Sequence, residues 1–192
     1  MVNEDDSFNV SWVIGGLNME QDIELNDIRD GIGGERWEDA TSQPGVRVRL
    51  WDDESEFVTF FSTGKCIVGA REVERIEEMK DDLVNKLKSL DILDSDFEVE
   101  AKINNIVAKA DIGDKIDLIP LQVHLGYENT EYEPEQFPGL VYNMNCTVMI
   151  FSSGKIILTG GNKVSDNLEC YKDLIKQISD YQEDEKERPW SY

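Results

Sequence analysis

Residues 57–68 read FVTFFSTGKCIV and residues 147–158 read TVMIFSSGKIIL. Six of the twelve aligned positions are identical: Val58/Val148, Phe61/Phe151, Ser62/Ser152, Gly64/Gly154, Lys65/Lys155 and Ile67/Ile157. Most of the others exchange one strand-favouring residue for another. A match of that density in a chain of 192 residues points to internal duplication. The surroundings correspond too. QPGVRVRL (43–50) parallels FPGLVYNM (137–144), and FNVSWVIGG (8–16) parallels FEVEAKINNIVA (97–108).

Each copy is followed by an amphipathic helix. Val73, Ile76, Met79, Leu83, Leu87 and Leu90 recur at three- and four-residue steps after the first, and Val164, Leu168, Tyr171, Leu174, Ile175 and Ile178 after the second. The turns STGK and SSGK are short enough for hairpins. The expected unit is a strand, a short helix, several antiparallel strands and a long helix. This predicts an α+β chain of two repeats, residues 8–92 and 96–181, in one shared-sheet domain with both long helices on one side. An acidic segment, 1–7, precedes the repeats, and a mobile tail, 182–192, is expected after them.

The chain has 41 acidic and 19 basic residues, a net charge of −22, which at face value disfavours nucleic acid and anionic membranes. No apolar run is long enough to span a membrane, and MVNEDDSF has no apolar leader core. Cys66, Cys146 and Cys170 show no CxxC spacing and read as reduced thiols of an intracellular protein.

Alternation along the strands divides the charge differently. One face is small and aliphatic. The other collects Ile14, Arg47, Arg49, Thr59, Phe61, Lys65, Ile67, Asn105, Val107, Lys109, Val141, Asn143, Met149, Phe151, Lys155, Ile157 and Thr159. By this reading five of them are basic and none is acidic. An apolar face bearing isolated cations calls for a partner that is both apolar and anionic, and the floor of a DNA minor groove between its phosphates meets both demands.

Other features carry no comparable chemistry. Gly64-Lys65 and Gly154-Lys155 lack the GxxxxGK[ST] spacing of a phosphate loop. His124, placed in a strand edged by Tyr127, has neither triad nor metal partners, and no nucleophile accompanies the acidic run 183–187. No active site, cofactor, metal or small-molecule substrate is implied.

YEPEQFPGLVYNM, CTVMIFSSGKIILTGG and KINNIVAKADIG resemble the second repeat of the TATA-binding protein family, and the likeness extends over residues 8–181. The resemblance implies a pseudo-symmetric saddle, with a curved antiparallel sheet on the minor groove and helices on the convex side. It implies an initiation factor that recognises A·T-rich promoter DNA and bends it with phenylalanine wedges, a mechanism for which this family is the standard example. Phe137 and Phe151 match one wedging pair and Phe61 one member of the other. Asn105 matches a groove asparagine, and Val107, Ile157 and Thr159 match floor contacts, joined by Ile14, Thr59, Ile67 and Met149 from the alternation. Lys65, Lys155, Arg49 and Arg71 match residues near phosphates, with Arg47 and Lys109 sharing the basic face. Glu133 and Glu135 resemble the surface that recruits transcription factor B and, through it, the RNA polymerase machinery. The expected location is the cytoplasm or nucleoid of an archaeon, or a nucleus.

The chain also departs from the family. Gln43 stands for the second wedge of the first repeat, and Trp12 for its groove asparagine. Asn143 and Asn162 replace basic residues, the turn from Tyr142 to Thr147 is short, and CIVGA lacks a Thr. A paralogue that has lost promoter DNA and serves as a protein-interaction module is the alternative that these changes leave open.

Overall fold

The computed structural model describes residues 7–32, 37–39 and 45–187, with backbone alone at 37–39 and 185–187. Gln43, residues 1–6 of the acidic segment and residues 188–192 of the tail lie outside the described residues. Ten strands and four helices follow in the order β1 (Asn9–Asn18), α1 (Leu25–Ile32), β2 (Trp37–Asp39), β3 (Val46–Val48), β4 (Phe57–Phe60), β5 (Lys65–Ala70), α2 (Val73–Ser89), β6 (Lys102–Asp111), α3 (Leu118–Leu125), β7 (Thr130–Glu131), β8 (Leu140–Asn143), β9 (Thr147–Ile150), β10 (Lys155–Gly161) and α4 (Val164–Glu187). No described helix is long and apolar enough to cross a membrane.

The chain forms two compact units. One is Trp12–Asn105, and the other joins Met1–Ser11 to Ile106–Tyr192. The division therefore falls within β1 and β6, not at 92–96 where the repeats meet in sequence. Contacts explain the placement of the amino-terminal residues. Phe8 packs on Tyr171 with ring centroids 5.7 Å apart, the Ser7 and Tyr171 hydroxyls share a hydrogen bond of 2.6 Å, and the Ser11 hydroxyl donates to the Val107 carbonyl. In the other unit the Asn104 amide lies over Gly16.

The strand order is β2-β3-β4-β5-β1 in the first-repeat unit and β6-β10-β9-β8-β7 in the second, with antiparallel pairing throughout each. In the first, Val13, Val48, Val58, Phe60 and Val68 meet Ile76, Met79, Leu83 and Leu87 of α2 in a closed core. In the second, Ala108, Leu140, Val148, Ile150, Ile156 and Leu158 are sealed by Tyr171, Leu174 and Ile178 of α4. Burying such side chains contributes about 1.5–3 kcal/mol each, so these aliphatic strand faces and helix stripes determine each other's register.

The two hairpins agree bond for bond. The Phe61 N–H donates to the Lys65 carbonyl and the Gly64 N–H to the Phe61 carbonyl, as do Phe151 to Lys155 and Gly154 to Phe151. Gly64 and Gly154 have φ of +74° and +87°, and a Cβ on them would lie 1.9 Å from the Gln21 carbonyl oxygen and 2.3 Å from that of Asp114. Backbone from a neighbouring loop is bonded there: Met19 donates to Gly64 and Ile23 to Ser62, matching Ile112 to Gly154 and Ile116 to Ser152. Only glycine meets both demands.

Several sequence expectations need correction. His124 lies in the last turn of α3, not in a strand. Asp117 caps that helix by accepting from the Ile119 N–H, Leu118, Leu121 and Leu125 are buried, and Gly126 at φ +90° follows its end. α4 continues to Glu187, beyond the expected start of a tail at 182. Cys146 and Cys170 form a disulfide across 24 residues, tying the turn before β9 to α4; of the expected thiols only Cys66 is free, and burial pushes it up to about 12. β10 is one residue longer than β5 and bulges between Leu158 and Gly161, so the residue missing from CIVGA is the absent bulge of the first repeat.

Candidate nucleic-acid interface

The open sheet face of the second-repeat unit is laid out by register. Val141 pairs with Met149, Met149 with Ile157 and Ile157 with Lys109, while Asn143 pairs with Thr147 and Thr147 with Thr159. Val107, Lys109 and Asp111 alternate with the buried positions of β6 in this unit, and Asn105, the last residue of the other unit, falls in the same alternation. Val107, Val141, Met149 and Ile157 are half-buried, an apolar floor that the helices leave uncovered. Lys109 and Lys155 are exposed and make no ion pair among the described residues. The face is not free of acid, however. Asp111 sits opposite Lys155, and Glu131 of the short edge strand opposite Val141. Both lie at strand ends where the alternation pattern is too short to read.

At one end of this face Phe137 and Phe151 meet edge to face, with centroids 5.8 Å apart and planes at 65°. Gly139 makes room for both: a Cβ there would stand 2.7 Å from Phe137 and 3.1 Å from Phe151 ring atoms. Phe137 is 37% exposed, unusual for a phenylalanine packed in a pair. A turn holds it, in which the Glu133 carbonyl accepts from both Gln136 and Phe137 N–H groups, and Glu133 and Glu135 are exposed on that turn.

The first-repeat unit is built differently. Phe61 sits over Gly45, as Phe151 sits over Gly139. Arg47 pairs with Thr59, Thr59 with Ile67 and Ile67 with Gly16; Phe57 pairs with Gly69, and Gly69 with Ile14. Ile14 and Ile67 remain half-buried on the face, but Thr59 is only 4% exposed. The Arg47 side chain covers it, with Nε donating to the Thr59 hydroxyl at 3.3 Å and Cζ 4.1 Å from the Phe57 ring centroid. Trp12 stacks on Phe57 with centroids 6.1 Å apart.

Arg49 and Arg71 also have partners within this unit. Arg49 donates to the Glu54 carbonyl, and Arg71 to the Ser55 hydroxyl at 3.3 Å. Ser55 in turn donates twice to Asp53, hydrogen bonds that hold the Asp53 carboxyl below its usual range with help from Arg71 and Arg75. Lys65 is exposed on the hairpin, as is Lys155 on its counterpart. The sequence reading missed an ion pair altogether: half-buried Arg75 of α2 grips both oxygens of buried Glu56 at 2.7 and 2.9 Å. Its two members lie in separate elements, with no local pattern to betray them.

Register also defines which residues are equivalent. Asn18 pairs with Lys65 and Asp111 with Lys155, and Trp12 and Asn105 each stand six positions earlier on their strands. Trp12 therefore occupies the place of Asn105, Phe57 that of Thr147 and Gly69 that of Thr159.

Residues 100–181 match the family described as transcription factor TFIID or TATA-binding protein. TATA-box-binding protein 2 of Haloferax volcanii is 32% identical over 176 residues, covering 90% of this chain and 94% of its own length. The chain belongs to the TATA-binding protein family. The Archaeoglobus fulgidus TATA-box-binding protein is 35% identical over 178 residues, covering 91% of this chain and 96% of its own. The solved Methanococcus jannaschii TBP superposes with a TM-score of 0.75 at 30% identity, covering 91% of this chain and 99% of that one. The α+β antiparallel fold expected from the sequence is thus the fold of the TATA-binding protein family, whose members are transcription initiation factors rather than enzymes. Within that fold, this member pairs Phe137 with Phe151 in one unit and covers part of the other unit's floor with Arg47, Phe57 and Trp12.

Proposed function

We propose that this protein binds A·T-rich promoter DNA through its open sheet faces, each unit reading one half of the element, and bends it chiefly at the Phe137–Phe151 pair. That pair carries the reading: two phenylalanines meet edge to face over a glycine, beside an apolar floor bearing exposed lysines, with one ring 37% exposed. Insertion of such a wedge unstacks a base step at a cost of a few kcal/mol, which flexible T·A steps keep low. The names of the relatives point to the same element. Lys65, Lys109 and Lys155 supply the phosphate contacts. The amide of Asn105 and the hydroxyl of Thr159 lie on the face that meets the acceptor-rich A·T edges.

The turn bearing Glu133 and Glu135 offers carboxylates beside the wedge to a transcription factor B-type protein, which brings the RNA polymerase machinery. The setting is intracellular. With a net charge of −22, the protein binds DNA weakly until cations screen the repulsion.

Fluorescence-detected binding and bending of a short TATA-containing duplex tests this, with salt titrated from roughly 0.1 to 2 M because phosphate contacts depend steeply on it. The wild-type protein bends the duplex, and Phe137→Ala with Phe151→Ala abolishes the bend. No binding by the folded protein at any salt would overturn the reading and leave the sheet face to a protein partner.

A further inference from the structure

α3 turns one side to the core of the second-repeat unit and carries an apolar row on the other. Leu118, Leu121 and Leu125 are buried. Ile119 and Val123, one turn apart on the outer side, are 65% and 56% exposed, and Tyr127, just past the helix end, is 65% exposed. Single exposed apolar side chains are ordinary on a protein surface, but three on one short helix and the turn after it make a patch.

The first-repeat unit shows that the fold does not require this row. The Ile23 N–H donates to the Ser62 carbonyl as the Ile116 N–H donates to that of Ser152, which aligns α1 with α3 residue for residue. Buried Ile28 then corresponds to buried Leu121, but Asn26 and Asp30 stand where Ile119 and Val123 do. The inward side keeps its apolar character in both helices, and only the second-repeat unit has an apolar outward side.

Charge and geometry narrow what could cover it. Asp117 caps the amino end of α3 after exposed Asp114, Glu128 is exposed beyond its carboxy end, and the Asp184 carboxylate of α4 lies 3.7 Å from His124 Nδ1. Lys115 is the one lysine or arginine from Gly113 to Asn129. Such a border repels nucleic acid and anionic lipid, and in a symmetric pair of chains it would set acid against acid. A cationic border would be drawn to it. Ile119 and Val123 belong to one i, i+4 row, the kind of ridge that seats in the groove of another helix, and the eight residues of α3 span about 12 Å, two turns.

We propose that the Ile119–Val123–Tyr127 row docks an amphipathic helix of a protein partner, one with an apolar ridge flanked by lysines or arginines. Leu118, Leu121 and Leu125 anchor α3 among the aliphatic strand residues, so the row lies on the helix side of the sheet and its occupant leaves the open face uncovered. The surface is independent of the DNA-binding reading, and its test uses no DNA.

Fluorescence anisotropy with the full-length protein would compare three labelled peptides: a helix with leucines on one face and lysines on its flanks, the same helix with glutamates for the lysines, and the leucine–lysine residues in scrambled order. The first should bind at least about tenfold more tightly than either of the others, the scale of burying one large aliphatic side chain. Ile119→Asn with Val123→Asp installs the residues of the first-repeat helix and should lose about tenfold, even though the added acid attracts a cationic peptide. Its denaturant midpoint reports folding; if it does not fold, Tyr127→Ser, outside the helix, should weaken the same peptide. Equal binding of the scrambled peptide would reduce the attraction to diffuse charge, and equal binding of the glutamate peptide would remove the charge match; either overturns the proposal. So would undiminished binding by a folded variant. Self-association of the wild-type protein that the double variant abolishes would assign the row to a second copy and overturn it as well.

Discussion

At their Gly-Lys hairpins the two units of this protein agree hydrogen bond for hydrogen bond, yet across the sheet floor nearby they share little. The difference lies in what each region must satisfy. The hairpins are closed by backbone groups against neighbouring backbone, at φ values that exclude other residues and with no space for a Cβ. The floors are made of side chains facing outward, where register requires only that volumes fit. Phe57 and Trp12 could therefore replace Thr147 and Asn105 once Gly69 stood where Thr159 does. Backbone constraint preserves the fold in both halves, and the open face is where the halves became unequal.

The largest effect on stability should come from a feature found in only one unit. Reducing the Cys146–Cys170 disulfide, which closes a loop of 24 residues, should lower stability by about 3 kcal/mol on the chain-entropy scale, seen as a lower denaturant midpoint. An unchanged midpoint would mean that the staple contributes nothing to this unit.

The hairpins test what the units have in common. Gly64→Ala and Gly154→Ala should each cost about 2 kcal/mol or more, since both combine positive φ with a backbone clash. Denaturant unfolding should give similar penalties for the two; a benign substitution in either unit would break the equivalence.

Smaller effects separate cations that face solvent from those already engaged. Lys155→Ala should reduce the salt slope of DNA binding by about 1, while Arg49→Ala, whose guanidinium bonds the Glu54 carbonyl, should leave it unchanged. Cys66 should resist alkylation in the folded protein at pH 9, because burial holds its thiol up at about 12. Its proton stays on in both states at neutral pH. As the pH rises past 9 only the unfolded chain releases it, so stability falls toward pH 12.

Much of this was legible in the sequence because it repeats. The duplicated hairpin, the helix stripes and the aliphatic strand face all follow periodicities imposed by local geometry, and Phe137 and Phe151 stand out once the faces are sorted. What escaped depends on side chains reaching across elements. Alternation places Arg47 on the open face but is silent on its folding down over Phe57 and Thr59, just as it is silent on Arg49 and Arg71 turning to the β3–β4 loop. Asp111 and Glu131 join the open face at strand ends, where pairing decides orientation. The apolar stretch around His124 reads as strand until Asp117 and Gly126 are recognised as the ends of a helix. The two thiols of the disulfide sit 24 residues apart in unrelated elements, with no spacing to join them.

The central claim, that the two units act unequally on DNA, is met most directly by comparing two equivalent phenylalanines. Fluorescence-detected bending of a TATA-containing duplex would be measured for Phe151→Ala and for Phe61→Ala under the same salt. Because Phe151 acts with Phe137 and the matching partner of Phe61 is replaced by Gln43, Phe151→Ala should remove most of the bend and Phe61→Ala should retain most of it. Equal losses from the two changes would contradict the account.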